Sequence, residues 1–318
     1  MKTALMADPL FREHLKGRRH PERPERFDAV MDSLARTGLA DRLLRVEARD
    51  ATQDELLLCH TAEYLRTAQS DVASGRAHLS TGDTDITPNS WNVAVRAAGG
   101  VLSAVDAVMG GAADNAFCAV RPPGHHATAT RGMGFCLLNN VALAARYAQR
   151  RHGIARAMIV DWDVHHGNGT QEIFYADGSV FFFSTHQWPL YPGTGRADET
   201  GEGDGEGTTM NFPLPAGSGR REILGALANS LVPAAERFQP ELLLISAGFD
   251  SREGDLLGRF TLTDGDFADL TRAVMDIANR GAKGRVVSVL EGGYSLDGLA
   301  SAAAAHVAAL TGARHFSV

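Results

Sequence analysis

The chain has 318 residues, 44% of them hydrophobic, which is ample core material for a large α/β domain. Its formal net charge of −7 argues against a nucleic-acid surface, and no run is read as approaching the roughly 20 apolar residues of a membrane span. Three scattered cysteines (Cys59, Cys118, Cys136) without a CxxC pair exclude a disulfide framework, and the start is too short in apolar length for a signal peptide, so a soluble cytoplasmic protein is expected.

Along the chain, short apolar runs at 3–6, 116–120, 157–160, 180–184, 242–246 and 286–290 read as buried strands. Helix-like stretches at 25–37, 90–109, 138–150, 222–237, 264–279 and 296–310 lie between them. The alternation predicts βαβ units and a mostly parallel sheet covered by helices, in one domain over 1–318. The glycine-rich, acidic segment 193–209 does not match a calcium loop and is expected to be a flexible solvated loop.

In open parallel sheets ligands bind at the carboxyl ends of strands, and here those ends carry the reactive residues. Run 116–120 leads into Arg121-Pro122-Pro123-Gly124-His125-His126. Run 157–160 leads into Asp161-Trp162-Asp163-Val164-His165-His166 and a glycine-rich turn. Run 242–246 is followed by Asp250, and run 286–290 by Glu291-Gly292-Gly293-Tyr294. Asp163 and His165 are two residues apart, so extended backbone would deliver both to one side, with Asp161 in support. With Asp250 they make three ligands and leave a position open, the pattern of catalytic zinc. His125 and His126 supply acid/base groups and Tyr294 an oxyanion donor, which points to hydrolysis of an amide or ester.

The motifs RPPGHH at 121–126, GFCLLNN at 134–140, DWDVHHGNGTQ at 161–171, SAGFD at 246–250 and EGGY at 291–294 resemble the zinc-dependent histone deacetylase family. The wording is closer to class II and its bacterial amidohydrolase-like relatives, with Asn168 where class I has Asp. The resemblance implies the arginase/deacetylase fold, a three-layer αβα domain with a sheet of about eight strands. It implies zinc on Asp163, His165 and Asp250, with iron(II) as the alternative metal in cells. It pairs His125 with Asp161 and His126 with Asn168, makes His126 the main base, and gives Tyr294 the carbonyl oxygen. It also implies a structural potassium at Asp161, Asp163, His165, Ser184 and Thr185. Gly134, Phe135 and Tyr191 would wall an acyl-lysine tunnel, Asp83 or Asp85 would be a rim carboxylate, and Arg26 would lie near an acetate exit path. Leu257 stands where polyamine-selective relatives carry Glu, which favours acyl-lysine in a protein or peptide over a small N-acyl amine.

Three other readings compete. One is the same chemistry on an acetylpolyamine. Another is a dimanganese ureohydrolase, which needs an acid where Arg252 stands. The third is an inactive acyl-lysine-binding protein. No nucleic-acid or membrane partner is expected, and a homo-oligomer is left open.

Overall fold

The computed structural model describes residues 1–313. Eight strands form one sheet: β1 (Thr3–Met6), β2 (Leu44–Val46), β3 (Asn115–Cys118), β4 (Ala157–Asp161), β5 (Val180–Gln187), β6 (Thr209–Leu214), β7 (Leu242–Ala247) and β8 (Val286–Leu290). Their order is β2-β1-β3-β8-β7-β4-β5-β6 and every pairing is parallel. Every residue of β3, β4, β5, β7 and β8 is buried, as expected of parallel strands covered on both faces. That burial is why these strands read as unbroken apolar runs.

The two edge strands were not among the runs read from the sequence. β2 is three residues with Arg45 at its centre, and β6 carries Asn211 and Pro213. Proline lacks the N–H a central strand needs, so an edge position suits it.

Among the described residues the α-helical segments are α1 (Glu25–Arg36), α2 (Gln53–Leu56), α3 (Ala62–Ala73), α4 (Ser90–Met109), α5 (Asn140–His152), α6 (Asn168–Phe174), α7 (Arg220–Ala226), α8 (Val232–Phe238), α9 (Asp264–Gly281) and α10 (Leu296–Leu310). The run expected at 222–237 is broken by a π turn at Leu227–Leu231, next to Pro233, whose missing N–H disturbs the hydrogen-bond ladder. Helix α3 was not anticipated, although its Thr61 N-cap, which accepts from Tyr64 N, is a readable start signal.

Two expectations need correction. Helix α4 is, by length and composition, apolar enough to cross a membrane, contrary to the expectation of no such run; it packs against β1 and β3, and 61% of its most apolar window is buried. Segment 193–209 is packed, not solvated throughout: Glu199 Oε2 accepts from Gln171 Nε2 at 2.6 Å, and Gly201 and Gly205 are buried against their surroundings.

Candidate active site

The carboxyl ends of β3, β4, β7 and β8 lie side by side at the centre of the sheet, and their loops build one site. Beyond Asp161 the chain leaves the strand, so Asp163 and His165 converge through a turn and not by alternation along extended backbone. In that turn Asp163 Oδ1 accepts from His165 N at 2.9 Å and faces His165 Nδ1 at 3.0 Å. Asp250, after β7, brings its Oδ2 within 3.2 Å of the same Nδ1. One ligand atom from each of Asp163, His165 and Asp250 lies within 4.8 Å of the others, and all three residues are buried.

This donor set fits a divalent cation. Asp250 Oδ1 accepts from Val164 N at 3.0 Å, whereas Oδ2 is buried without any hydrogen-bond partner. Asp163 Oδ2 is fixed by Gly292 N at 2.8 Å, and a Cβ at Gly292 or Gly248 would strike these carboxylates. Burial works against charge on His165, yet the Asp163 and Asp250 carboxylates outweigh it and push the imidazole up to about 10. A proton is thus attracted to the point where a metal would replace it. Two carboxylates and one imidazole suit zinc, and also iron(II). Arg252, the position at which a ureohydrolase needs another acid, is turned to Asp264 at 2.7 Å.

The tandem histidines face this triad with different partners. His125 Nδ1 lies 2.9 Å from Asp161 Oδ2, and His126 Nδ1 lies 2.8 Å from Asn168 Oδ1. Burial opposes charge on His125, but Asp161 and Asp163 raise it to about 10. For His126, burial and then the neighbouring His125 and His165 hold the ring well below the ordinary imidazole value. His126 is therefore neutral. Because the Asn168 oxygen only accepts, Nδ1 carries the ring proton and Nε2 keeps its lone pair.

Glu291 was missed as a site residue, though it lies inside a quoted motif. Its Oε2 accepts from Gly124 N at 2.6 Å and His125 N at 3.2 Å, fixing the turn that presents the histidines. Burial raises its pKa to about 7. Asp255 was missed as well. Its Oδ2 accepts from Tyr294 N at 2.7 Å and Ser295 N at 3.0 Å, while Oδ1 accepts from Leu257 N at 3.0 Å. One carboxylate thereby ties the Leu257 loop to the Tyr294 loop.

Tyr294 itself is buried. Burial and then the charge of Asp250 keep its phenol well above the ordinary value, so it retains its proton. Gly293, with φ 120°, permits the approach to it. Arg26 is buried, donates to the Gly293 and Glu291 carbonyls at 2.6 Å each, and stacks 5.0 Å from the Tyr294 ring. Behind it, Glu22 bonds both Arg26 and Arg121. Burial opposes charge on Glu22, but Arg121 and its other charged neighbours draw it down to about 2.

A cavity of about 300 Å³ leads down to His126, His165 and Tyr294, walled by Phe135, Tyr191 and Leu257. Gly134 and Phe135 both have positive φ, 56° and 68°, a strained backbone for phenylalanine that costs about 1–3 kcal/mol. A Cβ on Gly134 would strike the His126 ring. Asp83 lies on the cavity wall, accepting from Gly134 N at 2.8 Å and Tyr191 OH at 3.3 Å. Asp85 is instead occupied by His20 and His78, which settles which acid faces the cavity. Asp161 and Ser184 are register partners, and Thr185 Oγ1 is buried without a partner beside them.

A parallel sheet whose central strand ends bring together a triad that could hold a metal, two imidazoles and a buried phenol carries the groups that amide hydrolysis uses. Residues 20–310 match the Histone deacetylase domain. The chain is 40% identical over 300 residues to a "Probable deacetylase" of Archaeoglobus fulgidus, covering 94% of this chain and 83% of that protein. It is 42% identical over 303 residues to "Polyamine deacetylase HDAC10" of Homo sapiens, covering 92% of this chain but 44% of that longer protein. The crystal structure of the HDA15 HD domain superposes with a TM-score of 0.93 at 38% identity, covering 98% of this chain and 90% of that one. The chain belongs to the histone deacetylase family.

Proposed function

We propose that the protein hydrolyses the amide of an N-acyl-lysine side chain in a protein or peptide, releasing the carboxylate and the free amine. The observation that carries this reading is the cavity of about 300 Å³ lined by Phe135, Tyr191 and Leu257 that reaches His126 and Tyr294. Walls of that kind suit a methylene chain with an amide at its tip.

A zinc ion on Asp163, His165 and Asp250 would supply Lewis-acid polarisation of a carbonyl and acidify water. The chain's own groups then divide the remaining work. His126 Nε2 accepts a proton from the attacking water and returns it to the leaving amine. His125, held cationic against Asp161, stabilises the developing negative charge. The Tyr294 hydroxyl donates a hydrogen bond to the carbonyl oxygen as it becomes an oxyanion. Asp83, which lines the cavity, would accept backbone N–H groups of a substrate. Potassium would suit the turn beside Asp161, Asp163, His165 and Ser184, where the buried Thr185 hydroxyl has no hydrogen-bond partner.

The Asn168 pairing gives a pH prediction. An Asn168→Asp variant places a carboxylate 2.8 Å from His126 Nδ1, favouring the imidazolium. The base form is then lost at higher pH, so the acidic limb of kcat should move up by about 1–3 pH units. An unmoved limb would mean that His126 is not the titrating base.

The alternative substrate is an acetylpolyamine, favoured by the likeness to a protein named as a polyamine deacetylase. Against it, Leu257 offers no charge to a cationic amine. Turnover of matched acetyl-lysine peptide and N-acetylpolyamine decides between them. Preference for the peptide is expected. Preference for the polyamine would overturn the substrate assignment, and cleavage of neither would favour an acyl-lysine-binding protein without catalysis.

A further inference from the structure

The loop between the first strand and α1 carries Arg18, Arg19 and Arg23. Arg18 and Arg19 are exposed, Arg23 is half-buried, and all three line a second cavity of about 480 Å³. That cavity also touches Tyr294 and Leu256, so it adjoins the acyl-lysine cavity at the residue both share. Glu25 is the acid among its lining residues.

None of these three guanidinium groups makes an ion pair or side-chain hydrogen bond among the described residues. Other arginines on the fold are matched, as Arg49 is with Glu55 and Arg96 with Asp8 and Asp50, and others such as Arg66 and Arg150 are not; what distinguishes these three is that they line one cavity beside Tyr294. The chain carries a net charge of −7, yet at this mouth three arginines share the cavity with one acid, Glu25, which pairs with none of them. The loop is also held in place. His20 lies 3.1 Å from Asp85 and packs edge-on against Phe135 at 4.5 Å, and Glu22 is buried between Arg26 and Arg121. The loop that carries the arginines is thus held beside the tunnel wall. Unpaired guanidinium groups on a held loop favour carboxylates, and repel cations.

We propose that this cavity is an anion subsite for carboxylate side chains adjoining the acylated lysine, so that the preferred substrate class is acyl-lysine within acidic peptide segments. The proposal rests on the acyl-lysine reading given above. It also supplies a second reason, independent of Leu257, for a cationic polyamine to be a poor substrate.

The test compares kcat/KM for acetyl-lysine peptides flanked by Asp/Glu, by Gly/Ala, or by Lys/Arg, at low and high salt, with a neutral capped acetyl-lysine as reference. In the natural protein the acidic peptide should exceed the neutral one by about 3–30-fold, chiefly through KM, and the advantage should shrink with salt. An Arg18→Ala/Arg19→Ala/Arg23→Ala variant should bring the acidic-to-neutral ratio to about one, and Arg18→Glu/Arg19→Glu should invert the preference toward basic peptides. Equal rates on acidic and neutral peptides, or a preference that survives the triple substitution, would overturn the subsite and leave the acyl-lysine reading standing. Failure to cleave any acetyl-lysine substrate, the capped one included, would remove both.

Discussion

An Asp250→Ala variant is expected to lose both its metal and its activity. Asp250 Oδ2 is buried, accepts no hydrogen bond and faces His165 Nδ1 at 3.2 Å, while the hydrogen bond from Val164 N occupies the other oxygen. Deleting the carboxylate leaves Asp163 and His165, two ligands where a catalytic zinc site uses three. Loss of Lewis-acid assistance is worth several kcal/mol, so turnover should fall by about 10³-fold or more. Metal analysis of the dialysed variant is the direct check, with circular dichroism to establish that it folds. Near-normal metal content would refute the ligand assignment. The Asp250→Asn variant gives the same test with the shape of the side chain retained.

A Tyr294→Phe variant is expected to keep its metal and lose about 10²–10³ in turnover, the usual effect of removing one oxyanion donor. Only the hydroxyl is deleted. The ring contact with Phe135 at 5.9 Å and the stacking with Arg26 at 5.0 Å are available to phenylalanine. The backbone is held from outside the side chain, by Asp255 on Tyr294 N and Ser295 N and by Arg26 on the Gly293 carbonyl. The loss should therefore appear in kcat, with KM little changed, because the hydrogen bond strengthens as the oxyanion forms. An unchanged turnover number would remove Tyr294 from the mechanism.

The central strands were legible because a parallel sheet buries both faces, and burial writes itself as continuous apolar sequence. The edge strands β2 and β6 were not, since an edge tolerates the Arg45 and Pro213 that disguise it. For the site, residue type and position after a strand were enough to gather Asp163, His165, Asp250, His126 and Tyr294, which the structure brings to one place. The local geometry behind that gathering differed from expectation. Asp163 and His165 meet through a turn stabilised by the Asp163 carboxylate, not through strand alternation. The supporting groups escaped notice for a different reason. Glu22 and Arg121 find each other across 99 residues of sequence, and Glu291 reaches the Gly124 backbone across 167. Pairing at that range leaves no local pattern, and a buried carboxylate with its partners far away looks like any surface acid until the fold is known.

The most direct test of the account is acetate release from an acetyl-lysine peptide by protein stripped of metal with a chelator, followed by zinc titration with the bound metal counted. The stripped protein should be inactive, with recovery that saturates at one zinc per chain and no recovery in Asp250→Ala. Full turnover by protein shown to hold no metal would contradict it.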